Sequence, residues 1–117
     1  MELTLYHNPK CSNSRGAKEL LEEHAASITI IEYLKSPLDK DEILKLLGML
    51  PGPAHDLLRA KEVPYTELGL NSEISADTIA EAIAQYPVLM QRPVVVHNNR
   101  AIIARPPALL DAWLMES

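Results

Sequence analysis

The hydrophobic period of this chain changes once within residues 2–24, and that change restricts the fold more than any other feature. Residues 2–7, ELTLYH, alternate in the period-two pattern of a half-buried strand. Asn8-Pro9 breaks the pattern. From Ser12 onward Ala17, Leu20, Leu21 and His24 recur at helical spacing, with Ser12, Asn13 and Ser14 available as caps. The chain must therefore leave a sheet and enter a helix across residues 8–12, and Cys11, its single cysteine, stands at that junction.

The remaining order follows from the same signals. Residues 27–34, SITIIEYL, predict a second strand closed by Ser36-Pro37. Asp39-x-x-Glu42 is a capping pair ahead of Ile43, Leu46, Leu47 and Leu50, which share one helical face until Pro51-Gly52-Pro53. Residues 55–61 predict a short helix carrying Arg59, and Ser75 caps another whose inner face is Ile79, Ala82, Ile83 and Tyr86. After Arg92-Pro93, two short apolar runs flank Asn98-Asn99, the signal of a β-hairpin with a tight type I′ turn. Pro106-Pro107 opens a last helix with Leu109, Leu110, Trp113 and Leu114 expected inward. The expected fold class is α/β: β-α-β, a helical middle, then β-β-α.

With 117 residues, 47% of them apolar, and no internal repeat, the chain is expected to form a single domain over residues 1–117. No run of about 18 apolar residues occurs, and Glu2 stands where a signal peptide would carry positive charge, so a cytoplasmic location without membrane insertion is expected. A formal net charge of −5 without a basic block argues against nucleic acid and against an anionic membrane surface. A lone cysteine fits a reducing compartment and makes any redox chemistry depend on a thiol from elsewhere.

The residues alone leave two roles for Cys11: a buried inert thiol, or a reactive one. Its setting favours the second. A thiol reacts as the thiolate, and a helix start offers unpaired N–H groups and the positive end of the macrodipole. Lys10 and Arg15 would add charge and Ser14 a hydrogen bond. His7 would either cap local backbone or act on the thiol as an imidazolium or a donor. His24, His55 and His97 share no spacing and read as solvated surface. A zinc site lacks a second cysteine or paired histidines. A phosphatase loop lacks its arginine, because Gly16 and Ala17 stand where it belongs. Arg59, Arg92 and Arg105 stand apart from ordinary surface charges, two of them beside prolines at element ends. A guanidinium presents a planar fork of donors suited to an oxyanion, so arginines gathered near Cys11 would make an anion pocket.

With these residues in place, the sequence resembles the glutaredoxin-dependent arsenate reductase family, a thioredoxin-like group with an inserted helical region. The resemblance rests on YHNPKCSNSR (residues 6–15), EYLKSP (32–37), LLRAKEVPYTELGL (57–70), PVLMQRPVVV (87–96) and ARPP (104–107). It implies that Cys11 attacks arsenate to form a covalent adduct, with His7 and Ser14 supporting the thiol and Arg59, Arg92 and Arg105 binding the oxyanion. It further implies glutathione as co-substrate, glutaredoxin as partner, no tightly bound cofactor, no metal, and a cis Arg92–Pro93 bond. Two other readings share this outline: a glutathione-dependent thiol reductase acting on another substrate, and a redox-linked regulator that binds RNA polymerase.

Overall fold

The computed structural model of the chain describes residues 2–24 and 27–116. In chain order the elements are β1 (Glu2–Tyr6), α1 (Ser12–His24), β2 (Ser27–Ile31), α2 (Lys40–Met49), α3 (Val63–Glu67), α4 (Ala76–Gln85), β3 (Val94–His97), β4 (Arg100–Ile103) and α5 (Leu109–Met115). Short 3-10 turns span Ala54–Leu57 and Pro87–Leu89. The chain divides into two compact units, one formed by residues up to Ser36 with those from Arg92 onward, the other by Pro37–Gln91. The second unit is the inserted helical region. Among the described residues no helix is long and apolar enough to cross a membrane.

The first unit is built on a four-stranded sheet of order β2-β1-β3-β4. β1 and β2 are parallel, pairing Glu2 with Ser27 through Tyr6 with Ile31. β1 and β3 are antiparallel, with Tyr6 opposite Val94, and β3 and β4 are antiparallel, with Val94 opposite Ile103. Tyr6, Ile31, Val94 and Ile103 therefore form one row across the sheet. The chain crosses that single edge at residues 7, 32, 93 and 104, which gathers four segments far apart in sequence.

Period two places Leu3 and Leu5 on one face of β1, where they join Val95, Ala17 and Leu21 of α1, and Leu110, Trp113 and Leu114 of α5 in one core cluster. Each large side chain buried there contributes about 1.5–3 kcal/mol relative to exposure. Leu110, Trp113 and Leu114 have the i, i+3, i+4 spacing of one face, whereas Leu109 lies off that stripe and is 46% exposed, contrary to expectation. His24 is exposed, as a solvated surface residue should be, because the buried face of α1 runs through Ser14, Ala17 and Leu21. β2 ends at Ile31, three residues short of the expected strand, since the Glu32 carbonyl accepts N–H groups from both Lys35 and Ser36 and turns the chain. The hairpin forms with His97 paired to Arg100, but Asn98 takes a φ of 56° while Asn99 does not take a positive φ, so the turn is not the expected type I′.

In the second unit α2 packs against α4. The capping box is complete: Asp39 accepts the Glu42 N–H, and Glu42 accepts the Asp39 N–H. Ser75 caps α4 by accepting the Thr78 N–H, and Ile79, Ala82 and Ile83 are buried as expected, whereas Tyr86, expected on the same face, is exposed at the helix end. The helix expected over residues 55–61 is the shorter 3-10 turn Ala54–Leu57, because Leu58 pairs with Met90 as an isolated antiparallel bridge. The Arg59 N–H donates to Leu89 O at 2.7 Å and the Gln91 N–H to Leu57 O at 2.8 Å on either side of it. α3, with Pro64 in its first turn, is an element the sequence reading did not separate.

Candidate active site

The segment leaving β1 is stitched by its own backbone. The His7 N–H donates to Ile31 O at 2.8 Å, extending the β1–β2 ladder past the last strand residue. Asn8, 8% exposed, accepts the Lys10 N–H on its side-chain oxygen, an Asx turn, while its carbonyl accepts the Cys11 N–H at 3.0 Å. The Cys11 carbonyl then accepts the Arg15 N–H, the first bond of α1. Cys11 is therefore the N-cap itself, the place expected for Ser12, Asn13 or Ser14.

That position fixes the chemistry of the thiol. A capping side chain faces the second and third N–H groups of its helix, here those of Asn13 and Ser14, and both favour the anionic form of Cys11. Partial burial pushes the thiol up, because desolvation disfavours the anion. The Ser14 N–H, the Arg92 guanidinium and the Asn13 N–H together outweigh it and hold Cys11 below the ordinary thiol range.

Ser14 is fully buried, one turn before Ala17 on the inner face of α1. Its hydroxyl meets His7 Nδ1 at 2.6 Å and accepts the Asn8 N–H at 3.0 Å, so it ties the helix to the loop. His7 is 5% exposed, and burial pushes its pKa down, with Lys18 and Arg15 acting in the same direction against the opposing pull of Glu32. Of the two roles expected for His7 on the thiol, the imidazolium is therefore disfavoured. The described partner of its ring is the Ser14 hydroxyl.

Arg92 and Arg105 arrive from the other two segments at the same sheet edge. Arg92 lies in the surroundings of Cys11 and Tyr33, and both, Cys11 first, favour its charged form against the cost of burial. Arg105 Nη1 donates to Arg92 O at 2.9 Å and lies 4.0 Å from Cys11 Sγ. Both arginines precede prolines in cis, Arg92–Pro93 and Arg105–Pro106, the first as the resemblance implies. Gly16 lets α1 approach the second proline pair, because a Cβ there would meet Pro107 Cγ at 3.1 Å. Lys10 and Arg15 are exposed, and Arg15 braces the loop by donating to Pro9 O at 3.0 Å.

Arg59 belongs to the second unit, where its Nε donates to Glu62 at 3.2 Å. His55 is no solvated surface residue: its Nε2 lies 2.7 Å from the Tyr65 hydroxyl. Among the described residues no group of three or more metal-binding side chains gathers. Sequence reasoning missed Asn8 and Tyr33. Asn8 carried a signal, since asparagine before proline commonly bonds its own backbone two residues on. Tyr33 looked like one more residue of a strand.

Comparison with known proteins places this geometry in context. The profile of the ArsC family matches residues 6–112. An arsenate reductase of Neisseria meningitidis serogroup A is 37% identical over 115 residues, covering 97% of this chain and 98% of that one. A protein of Escherichia coli K12 named only "Uncharacterized protein YfgD" is 41% identical over 110 residues, covering 91% of each. Among solved structures, an arsenate reductase from Vibrio cholerae aligns with a TM-score of 0.88 at 37% identity, covering 96% of this chain and 97% of that one.

Proposed function

The chain belongs to the ArsC family, and we propose that it reduces arsenate to arsenite with Cys11 as nucleophile. The observation that carries this reading is a thiol capping a helix, with Arg92 in its surroundings and Arg105 4.0 Å away. Two guanidinium forks beside a thiolate suit a tetrahedral oxyanion, because they neutralise its charge while the sulfur attacks. Arg59 is the third arginine proposed for the oxyanion.

In the proposed reaction the Cys11 thiolate forms a bond to arsenic(V), and one arsenate oxygen leaves as water after protonation. Reduction needs two electrons, and a chain with one cysteine cannot supply them by closing its own disulfide. Glutathione adds its sulfur to the same arsenic, displacing a second oxygen as water. A glutaredoxin thiolate then attacks the glutathione sulfur. The sulfur–arsenic bond breaks with its electron pair left on arsenic, which becomes arsenic(III) and leaves Cys11 on hydrolysis. A groove of about 300 Å³ lined by His7, Pro9, Arg15, Lys18 and Glu19 adjoins the Cys11 loop, and its two cations suit the carboxylates of such a tripeptide. Solvent exposure of Lys10 and Arg105 beside the loop leaves the reacting sulfur open to a protein partner.

The test is a coupled assay in which glutathione, glutaredoxin and glutathione reductase recycle the thiols and arsenate-dependent consumption of NADPH is followed. Turnover is expected with the chain and absent with Cys11→Ser. Arsenate reduction retained by Cys11→Ser would sink the mechanism. Arsenite formed at an unchanged rate, measured directly by arsenic speciation, when another thiol reductant replaces glutathione and glutaredoxin would overturn the assigned reductants alone.

A further inference from the structure

Arg59 is mounted more firmly than an ordinary surface arginine. Its backbone N–H donates to Leu89 O at 2.7 Å, its carbonyl accepts the Glu62 N–H at 3.1 Å, and the Leu58 carbonyl before it accepts from Gln91 Nε2 at 3.1 Å. The side chain is only 18% exposed, and its Nε donates to Glu62 Oε1 at 3.2 Å. Among the described residues that is the only hydrogen bond of the guanidinium. Nη1 and Nη2 are not buried orphans, so both open to solvent. Glu62, for its part, is given over to this contact. It stands at the N-cap of α3, yet its side chain makes no bond to the helix and turns back to Arg59.

We infer that Glu62 is a positioning residue that holds Arg59 by Nε and leaves Nη1 and Nη2 as an open fork for an oxyanion. A carboxylate seated on the terminal pair would close the fork that a tetrahedral oxyanion takes. A single bond at Nε instead fixes the guanidinium plane and restrains a side chain that otherwise has much rotamer freedom to lose on binding. Glu62 also carries a negative charge, which opposes an arriving anion, so its two effects run in opposite directions. The inference deepens the reading of Arg59 as an oxyanion ligand and rests on it, and it requires no reduction of the anion.

The experiment is calorimetric titration of the whole chain with arsenate, without glutathione or glutaredoxin, in the parent, Glu62→Gln and Glu62→Ala. Both variants lose the charge, and glutamine alone keeps an oxygen that can accept the Nε–H. Glu62→Gln is expected to bind arsenate at least as tightly as the parent. Glu62→Ala should bind about threefold to tenfold more weakly than Glu62→Gln, the size of losing one hydrogen bond to a charged group. In an Arg59→Ala background the two substitutions should bind alike, because the effect passes through Arg59. Equal affinities of Glu62→Gln and Glu62→Ala overturn the inference, and so does a difference that persists without Arg59. Cys11 alkylation should run at one rate in both variants, since Glu62 lies in the other unit. Slower alkylation in Glu62→Ala alone would trace its weaker binding to general disruption and overturn the inference too. Arsenate affinity unchanged by Arg59→Ala would refute Arg59 as an oxyanion ligand and the inference with it. The expected pattern of binding without any turnover would refute the proposed reaction and leave the role of Glu62 standing.

Discussion

Two helix starts in this molecule share one geometry and differ in what fills it. α2 begins on Asp39, whose carboxylate accepts the Glu42 N–H at 2.8 Å while Glu42 returns a bond to the Asp39 N–H at 3.1 Å. Both side chains are exposed, and their bonds serve only the helix. α1 begins on Cys11, whose thiol faces the equivalent N–H groups of Asn13 and Ser14. A neutral thiol is a poor acceptor, so here the helix end draws the cap toward its anionic form. Arg92 lies in its surroundings, and the buried His7–Ser14–Asn8 network ties the helix to the loop at that end. The same kind of unpaired N–H groups hold a carboxylate cap at α2 and favour a thiolate at α1.

Breaking the α1 cap should separate its two roles most sharply. Serine is a favoured N-cap, so Cys11→Ser should keep stability within about 1 kcal/mol of the parent in urea unfolding. Arsenate turnover in the same variant is expected to fall more than about 1,000-fold, because the nucleophile is gone. A serine variant that also loses several kcal/mol would show that the sulfur is needed for the fold, and the comparison would fail.

The reciprocal change at α2 should do the reverse at a smaller scale. Asp39→Ala removes the carboxylate that accepts the Glu42 N–H, leaves the backbone N–H that donates to Glu42, and is expected to cost about 1 kcal/mol in urea unfolding. Cys11 alkylation should not change, since Asp39 lies in the other unit. A slowed alkylation in Asp39→Ala would mean that the two helix starts are coupled.

The smallest expected effect is a pH slope. Cys11 is held below its ordinary value in the folded chain, so between that folded value and about 8.5 the unfolded chain keeps a proton that the folded chain has released, and stability rises with pH. His7 is also pushed down, so as pH falls below about 6.5 the unfolded chain takes up a proton that the folded ring refuses, and stability falls. Urea midpoints measured against pH should therefore rise through both windows. Cys11→Ser should flatten the upper window and leave the lower one, and a lower window that also disappears would contradict the assignment to His7.

Much of the fold was legible because local chemistry decided it. The capping box at Asp39 and Glu42, the Ser75 cap, the Asn98-Asn99 hairpin and the strand-to-helix switch around Cys11 each follow from residues within a few positions of one another. Boundaries went wrong where a tertiary bond competed with a local pattern. SITIIEYL reads as strand to Leu34, but the turn closed on Glu32 O cuts it at Ile31. The apolar stretch after Pro53 reads as helix, but pairing of Leu58 with Met90 draws it into an extended bridge. Leu109 reads as core by its chemistry and is exposed by its angle on α5.

Within the site, Cys11 and its helix start could be read from residues 2–24 alone, since a cap and its N–H donors are neighbours in sequence. The meeting of Cys11 with Arg92 and Arg105 could not. It depends on strand order β2-β1-β3-β4 and on the direction of each strand, which set residues 7, 32, 93 and 104 at one sheet edge. Periodicity reports which face of a strand is buried and carries no information about which strand lies beside it. The sequence by itself determined that a thiol would stand at a helix start; only the tertiary structure decided which cations would lie beside it, because strand order and direction set the sheet edge they share.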